Sequence, residues 1–270
     1  VPHDLLLGKR LLVTGVATPA SLATAVARRA VEEGAQVVLT AFPRDLDAAR
    51  DCARSVADPP PLVVPVDLTD PAQRDAATTI VRDELGGLDG ALHAVAFAPR
   101  PALSGLRGVE AEAVEVAFRT SVHSYVALGE MLAELSPGGD ASLVGLDFDA
   151  HRAWPVYHWM GVCKAALRTA NRYLARELGP EGLRANLVAA GPLATRAASG
   201  IPGFEALTDA WAHAPLGWDA SDPGPVADVV TFLLSDLARA VTGEVVHVDG
   251  GFHAVEPVGA PVAPVTAVPA

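Results

Sequence analysis

From Arg10 onward the chain alternates short apolar runs with longer amphipathic stretches, and nothing recurs at a period of about 20 to 50 residues that would mark a solenoid. The runs at 11–15, 36–40, 62–66, 88–95, 141–146, 183–189 and 244–248 are mostly continuous, without in/out alternation. That pattern predicts parallel strands covered on both faces. Between them, stretches near 20–33, 45–56, 70–85, 112–134, 155–177 and 223–235 read as helices. The first carries Leu22, Val26, Ala27 and Ala30 on one stripe, with Ser21 placed to cap it. Short connections and an unbroken alternation predict an α/β fold with one doubly wound, seven-stranded parallel sheet, helices on both faces, and a single domain over 1–255. Residues 256–270, EPVGAPVAPVTAVPA, hold four prolines and are expected to form an extended or disordered tail.

Composition narrows the classes. Half of the 270 residues are apolar and 19% are charged, enough for a large core. No apolar run is long enough to span a bilayer, and the opening VPHDLLLGKR lacks a signal core, so the expectation is a soluble, cytoplasmic protein. A net charge of −12 opposes sequence-independent nucleic-acid binding. Cys52 and Cys163 are the only cysteines, which leaves neither a disulfide framework nor a thiolate cage. No His, Cys or carboxylate group has metal-ligand spacing, Asp147 with Asp149 being too little, and no metal is expected.

The first strand runs into a turn with one glycine, Gly15, ahead of Ser21, Leu22 and Ala23. Such a turn aims N–H groups and a positive helix end at an anion, as dinucleotide sites do, yet G-x-G-x-x-G is missing and a plain β–α connection reads equally well. The second strand ends without the usual acid: Phe42 is a candidate adenine platform or a core residue, and Arg44 a ribose neighbour or a solvated cation. Asp67, with Leu68, suits the adenine amino group or caps the following helix.

Tyr157 and Lys164, seven residues apart, would share one face of a helix over 155–177. A phenol can donate to an oxygen that becomes negative, and a nearby ammonium stabilises that charge. The pair follows a strand ending in Asp147-Phe148-Asp149, at the sheet end where doubly wound folds bind ligands. His158 is expected outside the site. His93 reads as a core histidine or a cofactor neighbour, Trp154, Trp159 and Trp218 as core or pocket lining, and Cys163 as quiet packing.

Over about residues 5 to 254 the chain resembles the enoyl-acyl-carrier-protein reductases, a divergent branch of the short-chain dehydrogenase/reductases, and within them the mycobacterial-type enzyme. The marks are GKRLLVTGVATPASLATAVA, VVLTAF, VDLTD, LDGALHAVAFAP, LVGLDFD, the Tyr157-x6-Lys164 spacing, RANLVAAGPLATRAASGI and TGEVVHVDGG. Ordinary short-chain reductases would place lysine at position 161, where Gly161 stands. The resemblance implies a Rossmann-type fold, NADH as cofactor, reduction of the trans-2 double bond of an enoyl thioester on acyl carrier protein or CoA, and a homotetramer. It implies that Gly15, Ser21, Leu22 and Ala23 frame the pyrophosphate, Phe42 covers adenine, and Asp67 and Leu68 contact its edge. Ala94, Val95 and Ala96 would border the cofactor; Lys164 would bind the nicotinamide ribose; Pro192, Leu193 and Thr195 would hold the amide and phosphates. Phe148 would sit beside nicotinamide and substrate, and Tyr157 would bond the thioester carbonyl. Ala94 and Ala96 depart from a small polar residue and a glycine, implying slightly weaker cofactor binding. The segment 195–218 is shorter than in the mycobacterial relatives, implying a preference for short or medium acyl chains. Two other readings stay open: a reductase of a conjugated intermediate in a specialised pathway, and a non-catalytic nicotinamide-binding regulator.

Overall fold

A computed structural model describes residues 4–195, 198–201 and 203–255, so the Pro-rich segment 256–270 lies outside the described residues. Seven strands, β1 (Arg10–Val13), β2 (Gln36–Ala41), β3 (Val63–Pro65), β4 (Gly90–His93), β5 (Ser142–Asp147), β6 (Arg184–Ala190) and β7 (Val245–Val248), form one sheet in the order β3-β2-β1-β4-β5-β6-β7. Every neighbouring pair is parallel. Such an order reverses direction between β1 and β4, and the crevice at their carboxyl ends is where ligands of open α/β sheets bind.

Both faces of the sheet are covered, as continuous apolar strands require. Helices α1 (Leu22–Glu32), α2 (Leu46–Ala53) and α9 (Gly224–Leu234) bury Val26, Ala30, Cys52, Val226 and Val230 on one face. On the other lie α3 (Pro71–Leu85), α6 (Ser124–Leu135) and α7 (His158–Leu178), which bury Val81, Leu128, Leu132, Leu167 and Leu174. Ser21 caps α1 by accepting from Thr24 N at 3.2 Å, as its position suggests. Asp70, with Pro71 next to it, caps α3 by accepting from Ala72 N at 2.9 Å.

A third cluster sits beyond the carboxyl ends of the strands. It gathers Ala102 and Leu103 of the short helix α4 (Arg100–Ser104), Ala117 of α5 (Ala111–Phe118), Phe148, Tyr157, Met160, Leu207 and Trp211 of α8 (Glu205–Trp211), and Phe252. Neither α4 nor α8 was visible in the periodicity.

Two helix expectations need correction. The stretch 112–134 is α5 and α6 joined by a π-turn over Arg119–His123, which adds a residue to one turn and lets both ends keep an apolar face on the protein. The stretch 155–177 begins helically only at His158: Tyr157 stands at the N-cap, flanked by Val156 and His158 in the left-handed region at φ 60° and 39°. A β-branched residue there is strained by about 1 to 3 kcal/mol. The regular two-turn spacing that linked Tyr157 to Lys164 therefore does not describe how the tyrosine is aimed.

Candidate active site

The carboxyl ends of β1 and β4 meet around Gly15. Its φ is +76°, and a Cβ there would meet the Ala94 carbonyl oxygen at 2.2 Å, so only glycine lets β1 turn against the end of β4. Thr14, which sequence reasoning passed over, ties the two strand ends together. Its hydroxyl donates to Leu92 O at 2.8 Å and accepts from Ala94 N at 3.1 Å. Ser121, in the π-turn, accepts from Phe97 N at 3.0 Å and so holds the other end of the Ala94-Val95-Ala96 loop. Thr14 lies within the quoted run GKRLLVTGVATPASLATAVA but has no role assigned there, and Ser121 stands in no motif; each role is found only by asking which polar side chain meets the backbone of the loop after β4.

Gly15, Phe42, Asp67, Leu68 and Val95 converge with Thr40, Thr69 and Thr120 on one narrow cleft. Phe42 is half-buried at its wall instead of in the core, and the Arg44 guanidinium lies over its ring at 4.9 Å while pairing with Asp45 at 3.5 Å. Asp67 does not cap α3. Its carboxylate accepts from Thr69 N at 2.8 Å and Thr69 Oγ1 at 2.7 Å, a local turn that fixes it at the cleft. On the far side of the switch point Gly191, Pro192 and Leu193 are buried behind β6; Trp218 Nε1 donates to Pro192 O at 2.7 Å, and Thr195 Oγ1 accepts from Ala198 N at 3.3 Å. Gly191 is packed so closely that a Cβ would meet the Trp218 ring at 2.6 Å.

At the chemical end, Lys164 is buried in α7 and donates to Leu146 O at the end of β5, 2.8 Å away. Burial lowers its pKa, and the nearby Asp147 carboxylate partly opposes that. Tyr157 is buried against Phe148, ring centroids 4.9 Å apart, and no described residue bonds its hydroxyl. Burial first, and Asp147 second, push the phenol pKa well up, so it stays a neutral donor. Phe148 also faces Trp211 at 5.5 Å and Trp154 at 5.7 Å, and Trp211 stacks on Phe252 at 4.2 Å. Trp159 packs at the edge of the same cluster and its Nε1 donates to Leu106 O at 3.1 Å. Trp211, 1% exposed with its Nε1 unbonded among the described residues, was missed because no local spacing marks it.

Beneath this site lies a cluster of charges that the sequence did not reveal. Arg168 Nε donates to Asp147 Oδ2 at 2.6 Å, and its Nη2 is 3.2 Å from Asp149 Oδ1. His151 Nδ1 lies 2.8 Å from both Arg168 Nη1 and Asp149 Oδ1, while His247 of β7 is 3.5 Å from Asp149 and stacks on His253 at 3.9 Å. Asp149, His151 and His247 bring ligand atoms within 4.8 Å of one another, a grouping that spacing along the chain did not anticipate. The guanidinium among them already supplies the positive charge that a metal ion would bring, and would repel one.

His93 is a core residue. Its Nε2 bonds Ser124 Oγ at 2.8 Å, its Nδ1 is buried without a partner among the described residues, and burial with the nearby Lys164 lowers its pKa to about 3. A histidine held neutral in the fold takes up a proton on unfolding between that value and its ordinary one near 6.5, so its share of stability is present at neutral pH and lost as pH falls. Wild type should therefore lose about 2 kcal/mol between pH 7 and 5 through this group. In urea denaturation at both pH values, His93→Gln, which keeps a partner for Ser124 without titrating, should show a correspondingly smaller loss. Equal losses in the two proteins would refute the assignment.

Comparison with known proteins places this geometry. A family model described as enoyl-(acyl carrier protein) reductase matches residues 15–253. The NADH enoyl-[acyl-carrier-protein] reductase of Mycolicibacterium smegmatis is 40% identical over 264 residues, covering 92% of this chain and 97% of that one. The corresponding protein of Aquifex aeolicus is 37% identical, covering 92% and 93%. Its crystal structure superposes with a TM-score of 0.88 at 36% identity, covering 93% of this chain and 98% of that one. The Bacillus cereus enoyl-acyl carrier protein reductase, solved with NADP+ and an indole naphthyridinone, gives 0.88 at 33% identity, covering 93% and 99%.

Proposed function

The chain belongs to the enoyl-(acyl carrier protein) reductase family, and from that premise we propose a role for each group at the site. The protein is an NADH-dependent reductase of the trans-2 double bond of enoyl thioesters carried on acyl carrier protein, acting in fatty-acid biosynthesis. The residues fit the cofactor: the Cβ-free turn at Gly15 opens onto a cleft whose wall is the flat ring of Phe42 and whose floor carries the Asp67 acceptor. Gly15, Ser21, Leu22 and Ala23 would receive the pyrophosphate at the start of α1, and Phe42, Asp67 and Leu68 the adenine. Ala94, Val95 and Ala96 would border the cofactor's path, and Pro192, Leu193 and Thr195 would hold its amide end. The cation nearest Phe42, Arg44, lies on the ring and faces Asp45, an arrangement that suits an unphosphorylated ribose better than a 2′-phosphate.

When bound, NADH supplies the hydride for the β-carbon of the substrate. Negative charge then grows on the thioester oxygen. Tyr157 would offer that oxygen a neutral donor with no competing bond among the described residues, Lys164 would contribute positive charge from the same helix, and the Phe148 ring packs against the tyrosine. The carrying observation is Tyr157, its ring packed against Phe148 and its hydroxyl unbonded among the described residues, at the start of the helix from which Lys164 bonds the end of β5.

The side chains of Phe148, Trp154, Trp211 and Phe252 pack in one aromatic cluster with Tyr157 and favour short or medium acyl chains. The whole chain is proposed to work as a homotetramer in the cytoplasm. In keeping with that, no described helix is long and apolar enough to cross a membrane, and both cysteines are free and buried.

The test is NADH oxidation by purified protein with trans-2-enoyl thioesters of graded length, NADPH and a 3-ketoacyl thioester serving as controls. Turnover of butenoyl to octenoyl substrates with NADH is expected. A dodecenoyl thioester outperforming butenoyl by a wide margin would refute the chain-length assignment. Silence on every thioester with NADH still bound would favour a specialised conjugated substrate or a regulator.

A further inference from the structure

Lys164 and Arg168 stand one turn apart on α7, and the Asp147 carboxylate acts on both. The two cations divide the acceptors at the end of β5. Arg168 takes Asp147 Oδ2 at 2.6 Å and reaches toward Asp149, whereas Lys164 takes the neutral Leu146 carbonyl at 2.8 Å. The Asp147 carboxylate is near enough for its charge to act on Lys164, yet the two make no ion pair in the structure. Asp147 has a side chain with 0% exposure, and its Oδ1 has no hydrogen-bond partner among the described residues. A buried carboxylate with an open acceptor and an ammonium nearby is a pair that forms unless something else satisfies the charge.

We propose that Arg168 is a positioning residue for the cofactor: by holding Asp147 it keeps the carboxylate off Lys164, whose remaining N–H groups stay available to the ribose hydroxyls of NADH. The role rests on the reading of Lys164 as a cofactor ligand. It also explains why Asp147 and Asp149, on either side of Phe148, are both drawn to one guanidinium: the clamp fixes the backbone that presents the Phe148 ring to Tyr157.

The experiment is NADH binding to the full chain, followed by nicotinamide fluorescence, for wild type, Arg168→Leu and the double variant Arg168→Leu/Asp147→Asn. Loss of a charge-assisted contact predicts that Arg168→Leu weakens NADH by about tenfold or more. Removing the carboxylate's charge in the double variant is expected to return the Kd to within about threefold of wild type, since nothing then competes for Lys164. A merely structural ion pair is read in stability instead: it predicts a lower urea midpoint for Arg168→Leu that the double variant restores, with the Kd of the folded protein for NADH unchanged in both. Wild-type affinity in Arg168→Leu, or a double variant as weak as the single one, overturns the proposal. Should Arg168→Leu fail to fold, the double variant decides: near wild-type affinity supports the role, and tenfold weaker binding or failure to fold overturns it. Because binding is read without substrate, a protein that holds NADH but reduces no enoyl thioester overturns the enzymatic reading alone. A wild type that binds no NADH overturns the cofactor assignment and this role with it.

Discussion

Replacing Tyr157 with Phe is expected to lower kcat by about 100- to 1000-fold while the Kd for NADH stays within about twofold of wild type. The magnitude is that of removing one preorganised donor from a developing oxyanion. It applies here because the phenol is buried, neutral and unbonded among the described residues, so no reorganisation is needed before it donates. The Phe ring occupies the same place against Phe148 and Met160, which keeps the packing of the third cluster intact. Pre-steady-state and steady-state NADH oxidation with one enoyl thioester, together with a cofactor titration, separates the two effects. Normal turnover with a large loss of NADH affinity would contradict the role assigned to Tyr157.

Lys164→Ala is expected to act in the opposite column, weakening NADH itself by about 30- to 100-fold through loss of charge-assisted hydrogen bonds of about 1.5 to 3 kcal/mol. Two further losses accompany it. The Leu146 carbonyl gives up its donor, and Asp147 keeps only Arg168 as a neighbouring cation. An unchanged cofactor titration would show the ammonium to be structural. Compared with Tyr157→Phe, the two variants form a pair in which one spares binding and the other spares the donor.

The fold was legible because its signal is repeated. Seven apolar runs separated by amphipathic stretches leave little choice of layers, and the structure joins all seven in one parallel sheet. That Gly15, Phe42, Asp67, Leu68 and Val95 lie at one end of the sheet, where they line a common cleft, was also legible, since each ends or closely follows a strand. What stayed hidden was set by contacts across the chain. Trp211 is defined by rings from residues 148, 154 and 252, and Arg168 by carboxylates about twenty positions earlier, neither of which leaves a local pattern. Tyr157 was recognised but its placement was not, because the left-handed residues on either side break the helical spacing that seemed to aim it. Asp67 shows a subtler limit: a carboxylate before a helix reads as a cap, but Asp70 and Pro71 compete for that position and win it.

The π-turn between α5 and α6 bears on which length changes the chain can survive. A wide turn holds one residue more than an ordinary one, so deleting any single residue from 119–123 would mend the helix locally and give it a better hydrogen-bond ladder. The same deletion would rotate everything after it by about 100°. Tyr125, Leu128 and Leu132, each fully buried on the sheet, would swing toward solvent, and Ser124 would leave His93. The segment is thus a register lock: its apparent imperfection is the phase offset that allows one helix to serve two differently oriented surfaces.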